Sequence, residues 1–161
     1  METNRLILKL ITIEDYSFIK TLVNTEGWIQ FIGDRQIHTD EDAKNYIQKI
    51  INIQNFKYWI VTLKESHTPI GIITFIKRDY LEFYDLGFAF LAEFAKKGFA
   101  YEASNIVLEK LKLDNSIQNI LATTIPENSK SILLLEKLGF NFRNKIDINN
   151  QMLSVYLKQI S

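Results

Sequence analysis

The chain contains no cysteine. That excludes disulfide cross-links and thiolate chemistry, and it suits a cytoplasmic protein. An excess of charge of one sign is also missing: 19 Lys and Arg stand against 19 Asp and Glu, a formal net charge of zero. A dedicated nucleic-acid binder carries a basic excess, so no nucleic-acid partner is expected. Apolar residues never run unbroken for the roughly 18 positions that a membrane-spanning helix needs. Charges interrupt the apolar N-terminal run METNRLILKL, unlike a secretion signal. The expectation is a soluble, cytoplasmic protein with no membrane partner. Several site signatures are absent too. There is no Gly-x-Ser-x-Gly elbow of a hydrolase, no Gly-Lys-Ser/Thr phosphate loop and no three-glycine dinucleotide fingerprint. His38 and His67 are far apart in sequence and have no cysteine or dense acidic cluster around them, so no metal is expected.

What is present points to one packed domain spanning residues 1–161, with 47% hydrophobic residues. Arg5 to Leu10 reads as a first strand. Thr12 and Asp15 then form a capping-box pattern before a helical run to Val23, with a break predicted at Gly27. Thr39 reads as the N-cap of the next helix, whose Ala43, Tyr46, Ile47, Ile50 and Ile51 share one face. KYWIVTLK and PIGIITFIK flank the polar turn ESHT and predict an antiparallel hairpin, with EFYDLGFAFL as a third strand. A helix starts at Phe99 and runs to near Asp114. QNILATTI is a strand, a further helix stops at Gly139, and a final hairpin turns at Asn149-Asn150. The resulting order of strands and helices predicts a single α/β domain around a mixed sheet.

The segment AEFAKKGFAYEAS places Lys96, Lys97, Gly98 and Ala100 where a loop becomes a helix. A helix start offers unpaired N–H groups and the positive end of the macrodipole. Small residues let a phosphate reach that backbone, and Gly98 also permits positive φ. The competing reading makes Gly98 a tight turn and the lysines solvated surface.

Taken together, ETNRLILKLITIEDY, PIGIITF, DLGFAFLAEFAKKGFAYEAS and NSKSILLLEKLGF cover nearly the whole chain. They resemble the GNAT superfamily of N-acetyltransferases, most closely its branch of ribosomal-protein N-terminal acetyltransferases. The resemblance implies a mostly antiparallel central sheet flanked by helices, and acetyl-CoA as cosubstrate with no metal. The pyrophosphate is then expected on the loop Lys96, Lys97, Gly98, Phe99, Ala100 and Tyr101. The strand end Phe88, Ala89 and Phe90 is expected to pair with the pantetheine arm and to supply an oxyanion N–H. Two departures stand in the loop: Ala95 replaces a Gln, Arg or Trp, and Lys96 replaces a glycine.

PENSKSILLLEKLGF is similar to the family's Asn-x-x-Ser segment. The similarity implies that Asn128 binds the cofactor arm and that Ser131 faces the acetyl sulfur. Asn128 as a simple helix cap is the alternative. Many family members carry a tyrosine acid seven residues after this asparagine, but here Leu135 stands there, which leaves Ser131 as the acid candidate. A base must also act, because only roughly one α-amino group in ten is neutral at pH 7. Glu82 and Asp85 are the candidates, against solvent-exposed strand charges or a water relay. Trp28, Phe31 and Tyr46 belong to the region that covers the acceptor in this family, as core or as contacts. The implied activity is acetyl transfer to a primary amine, either a protein N-terminus or a small molecule. The rival readings are a non-catalytic acyl-CoA-binding or regulatory module and an RNA-binding accessory protein. The resemblance also allows a homodimer, with the apolar final hairpin as a possible edge.

Overall fold

The computed structural model describes residues 1–160. Its strands are β1 (Leu6–Leu10), β2 (Phe56–Leu63), β3 (Pro69–Ile76), β4 (Asp85–Phe90), β5 (Asn119–Thr124), β6 (Asn141–Ile148) and β7 (Gln151–Gln159). They form one sheet in the order β1-β2-β3-β4-β5-β7-β6. All neighbours are antiparallel except β4 and β5. The helices are α1 (Tyr16–Val23), α2 (Glu26–Phe31), α3 (Asp40–Asn52), α4 (Phe99–Leu111) and α5 (Ser129–Lys137).

The two-residue period of the strands divides the core between the two faces of the sheet. Trp59, Val61, Ile73, Phe75 and Leu86 share one cluster with Ala103, Val107 and Leu108 of α4 and Leu135 of α5. The alternate positions Tyr58, Ile60, Ile72 and Ile76 pack with Ile19 and Leu22 of α1 and Ala43 and Ile47 of α3. Trp28 is buried in this second cluster, so it is core. The sheet is thus covered by α4 and α5 on one side and by α1 and α3 on the other.

Local signals explain most boundaries. The Thr12 N–H donates to Asp15 Oδ2 at 2.8 Å, opening a 3-10 turn that leads into α1. Thr39 caps α3 by accepting from the Asp42 N–H at 3.0 Å. Asn149 and Asn150 both take positive φ, as a tight hairpin turn with matching twist requires. The break expected at Gly27 falls earlier, at Asn24. Thr25 restarts the chain as α2 by accepting from the Trp28 N–H, so Gly27 lies inside a helix. A satisfied cap contributes about 1 kcal/mol, comparable to the cost of one helical glycine.

The final hairpin, the possible dimer edge, is mostly polar along its outer strand. Its outer strand β6 exposes Asn141, Arg143, Asn144, Lys145 and Asp147. Such charges blunt a sheet edge against strand pairing. Phe142 is the large apolar exception, and it packs edge-on against Tyr156.

Candidate active site

The parallel neighbours β4 and β5 are in register at one position only, Asp85 opposite Leu121. Beyond it the two strands part toward their carboxyl ends. Leu91 N–H donates to Ile70 O at 2.9 Å, which fixes the alternation along β4. Gly87, Ala89 and Leu91 therefore direct their backbone groups to β3, while Leu86, Phe88 and Phe90 direct theirs toward β5. With β5 turned away, the N–H and C=O groups of Phe88 and Phe90 line an open cleft. Ala89 shares the strand, but its backbone faces β3 and is not available to a ligand in the cleft.

The loop after β4 is built for the same end of the cleft. Gly98 is the N-cap of α4 with φ 80°, and Lys96 also takes positive φ, 61°. The lysine thus keeps the left-handed backbone that a glycine would adopt more cheaply. Glu102 N–H donates to Gly98 O at 3.0 Å, but none of the N–H groups from Lys96 to Tyr101 has a partner among the described residues. An uninterrupted run of free donors, with no side chain at Gly98, suits a diphosphate. Lys97 lies 5.7 Å from the Phe94 ring centroid, and Lys137 of α5 stands over the Tyr101 ring at 4.6 Å. Lys137 therefore brings a further cation to the α4 N-terminus.

Arg5 holds the loop from outside. Its Nη1 donates to Lys97 O at 3.0 Å and its Nε to Glu102 Oε2 at 2.7 Å, and the guanidinium stacks 4.4 Å from the Phe99 ring centroid. Burial pushes the Glu102 carboxyl up, but the Thr3 hydroxyl and Arg5 outweigh it and hold the group below its ordinary value. Sequence reasoning saw Arg5 only as a strand start, because its partners lie more than ninety positions away. A groove of about 760 Å³ adjoins the loop, lined by Thr3, Arg5, Gly98, Tyr101, Glu102 and Asn105 among others. It runs along the flank of α4, outside the β4–β5 cleft.

Across the cleft, α5 begins just beyond the end of β5. Asn128 Oδ1 accepts from the Ser131 N–H at 3.3 Å, so the capping alternative is realised. Its Nδ2 remains available as a donor. Ser131 is half-buried and lies one turn before Leu135, on the same face of α5. Leu135 is 1% exposed and packed in the core, so it supplies no proton.

The two proposed bases lie at the other end of β4. Glu82 is exposed and pairs with Arg143 of β6 at 3.0 Å. Asp85 is not a solvent-exposed strand charge: it is 4% exposed, bonded to Arg78 Nε at 2.7 Å and to the Thr123 N–H at 3.1 Å. Burial pushes its carboxyl up, and Arg78 and Thr123 oppose that. From Asp85 to Phe90 the strand runs roughly 16 Å at about 3.3 Å per residue. The structure gathers the loop, Phe88, Phe90, Asn128 and Ser131 at one end of the cleft, and leaves Glu82 and Asp85 at the other.

The domain family and the fold are shared with known proteins. The acetyltransferase (GNAT) domain family matches residues 5–141. The uncharacterized N-acetyltransferase YnaD of Bacillus subtilis is 28% identical over 137 residues, covering 85% of this chain and 79% of that protein. The ribosomal-protein-S5-alanine acetyltransferase of Vibrio fischeri superposes with a TM-score of 0.84 at 21% identity, covering 99% of this chain and 96% of the other. Spermidine N-acetyltransferase of Vibrio cholerae, solved with CoA and spermine, gives 0.82 at 19% identity, covering 98% and 97%. The fold is therefore shared widely, and a domain match over most of the length decides the family: the chain belongs to the GNAT acetyltransferases and is an acetyl-CoA-dependent N-acetyltransferase.

Proposed function

We propose that the chain acetylates a primary amine, a protein N-terminus or a small amine, by direct attack within a complex that holds both substrates. The observation that carries this reading is the run of N–H groups from Lys96 to Tyr101 without partners among the described residues, beside the backbone edge that Phe88 and Phe90 turn away from β3. The loop N–H groups, with Lys96 and Lys97, would hold the pyrophosphate of acetyl-CoA. The Phe88 and Phe90 backbone and Asn128 Nδ2 would hold its pantetheine arm. When bound, acetyl-CoA supplies an activated acyl carbon and a good leaving group.

The protein's own groups account for the remaining needs. An N–H of Phe88 or Phe90 stabilises negative charge on the carbonyl oxygen as the C–N bond forms. Ser131 donates a proton to the departing sulfur as the C–S bond breaks, and takes one back from water. A thiol with a pKa near 8.5 leaves readily, so the gain from Ser131 is expected near the lower end of the usual 10²–10⁴-fold. The amine gives up its proton to water, since Glu82 is held by Arg143 and Asp85 by Arg78.

An acceptor screen tests this. Purified protein and acetyl-CoA are incubated with peptides of varied N-terminus and with polyamines, amino acids and other small amines, and free thiol is measured. Amine-dependent thiol release with an acetylated product, seen by mass spectrometry, is expected. CoA binding without turnover on any member of the panel would leave a binding module instead.

A further inference from the structure

In an unbroken parallel ladder, successive N–H groups of β5 would donate to successive facing carbonyls of β4. Leu121 N–H does so, reaching Tyr84 O at 2.8 Å. The next N–H on that side is Thr123, and its ladder partner would be Leu86 O. It donates instead to a side chain, Asp85 Oδ1, at 3.1 Å. The switch occurs where the strand register ends, and the cleft starts there. The other carboxylate oxygen is taken by Arg78 Nε at 2.7 Å, from the turn that joins β3 to β4.

We propose that the Asp85 carboxylate, held by Arg78, replaces a backbone rung between β4 and β5 and so fixes where the strands part. Asp85 is thus a positioning residue for the acetyl-CoA cleft, and it does not act as the base. The chemistry of the groups fits this role. Thr123 is half-buried, and its N–H gains more from a fixed, charged acceptor than from water. If Asp85 did not accept, the acceptor in ladder register would be Leu86 O, and pairing there would zip the strands and narrow the cleft. Asp85 satisfies the donor while keeping the backbones apart. Arg78 keeps the carboxylate in that place, and a carboxylate without it would be a buried unpaired charge. Direct base action needs an oxygen within about 3 Å of the amine, or one water away. Asp85 is some 10 Å along the strand from Phe88, the nearer of the free cleft groups. The consequence for binding rests on the acetyl-CoA reading above, but the rung itself does not.

Two kinds of measurement separate these points. In the free wild-type protein, hydrogen exchange by NMR should show the Thr123 amide protected as well as that of Leu121. Exchange at the rate of an exposed loop amide would overturn the rung. Two variants then test its purpose. Asp85→Asn keeps one side-chain oxygen, enough for Thr123 once the partly exposed Arg78 turns to water, so CoA affinity by calorimetry should stay within about threefold and kcat within about tenfold. The pH–rate profile should keep its limbs. Asp85→Ala removes the acceptor, and CoA should bind at least tenfold more weakly to the folded fraction. A pair that was merely stabilising would lower the melting temperature in both variants and leave CoA affinity unchanged, which would overturn the proposal. So would Asp85→Asn with normal CoA affinity but kcat reduced 10²–10⁴-fold and one pH limb gone, since that is the behaviour of a base. If Asp85→Ala does not fold, Asp85→Leu, which fills the space and offers no acceptor, takes its place in the same comparison. Failure of the wild type to bind CoA would sink the acetyl-CoA reading and leave the exchange result standing.

Discussion

At the scale of single residues, two positions separate backbone demands from chemistry. Gly98 sits at φ 80°, and a Cβ there would stand 3.4 Å from Arg5 Nη2. A side chain pays about 1–2 kcal/mol for the left-handed backbone and covers the donors of the loop. Gly98→Glu adds a carboxylate where phosphate is to bind, so CoA binding should fall below detection by calorimetry while the protein remains folded. Unchanged affinity would mean that the phosphates lie elsewhere. Asn128 offers a finer separation, because its two side-chain ends do different things. Oδ1 caps α5, and Nδ2 is free to donate. Asn128→Asp keeps an acceptor, and a negative charge at a helix start is favourable. It removes the donor. The melting temperature should therefore hold or rise slightly while the KM for acetyl-CoA increases several-fold. A fall in melting temperature with KM unmoved would leave the residue a cap alone.

At the scale of elements, the loop before α4 depends on a strand at the far end of the chain. Arg5 bonds the Lys97 carbonyl and the Glu102 carboxylate together, so it acts as a clip from the start of β1 to the first turn of α4. Arg5→Ala should lower stability by about 1 kcal/mol at most, as for an exposed pair. For a chain of this size that is roughly 2–4 °C. CoA affinity should drop more than this suggests, because the loop loses its support. The pH dependence has a definite sign. Glu102 titrates below its ordinary value of 4.5 in the folded protein. The stability it confers is complete above that value and disappears as pH falls through the lower folded value. The gap in melting temperature between wild type and Arg5→Ala should therefore be full at pH 7 and close under acid. A gap that persists after Glu102 has become protonated in the folded protein, followed by NMR of its carboxyl group, would show the clip to be packing of Arg5 on Phe99. This element also marks the limit of what sequence shows. The hairpins, the α3 cap and the start of α4 at Phe99 are legible because each is written in adjacent residues. The same is true of the bare loop and of Asn128 as a possible cap. The Arg5 clip and the burial of Asp85 are not legible, since both depend on partners that only the folded sheet brings near. Thr25 is a different case: its cap signal was local, but the glycine two positions on is the louder break signal.

At the scale of the whole molecule, the sheet is two antiparallel blocks, β1 to β4 and β5-β7-β6, in register with each other at a single position. Helix α4 follows the last strand of one block and α5 the first strand of the other, and both pack into one core cluster. A ligand gripped by the α4 loop and the β4 edge on one side and by Asn128 on the other would tie the blocks where the sheet itself does not. Binding to the native state alone stabilises it by RT ln(1 + [L]/Kd), about 2.7 kcal/mol at a hundredfold excess over Kd. At roughly 2–4 °C per kcal/mol, the melting temperature should rise by about 5–10 °C with saturating CoA. Fragments should divide this gain. A phosphate-bearing fragment without the pantetheine arm engages only the loop, so it should protect amides at the start of α4 and leave those of β5 unaffected. Whole CoA should also slow exchange in β5 and at the start of α5. Equal protection by the fragment and by CoA would mean that the arm does not span the cleft. The two blocks would then be joined by the core, the Leu121–Tyr84 backbone bond and the Asp85 rung.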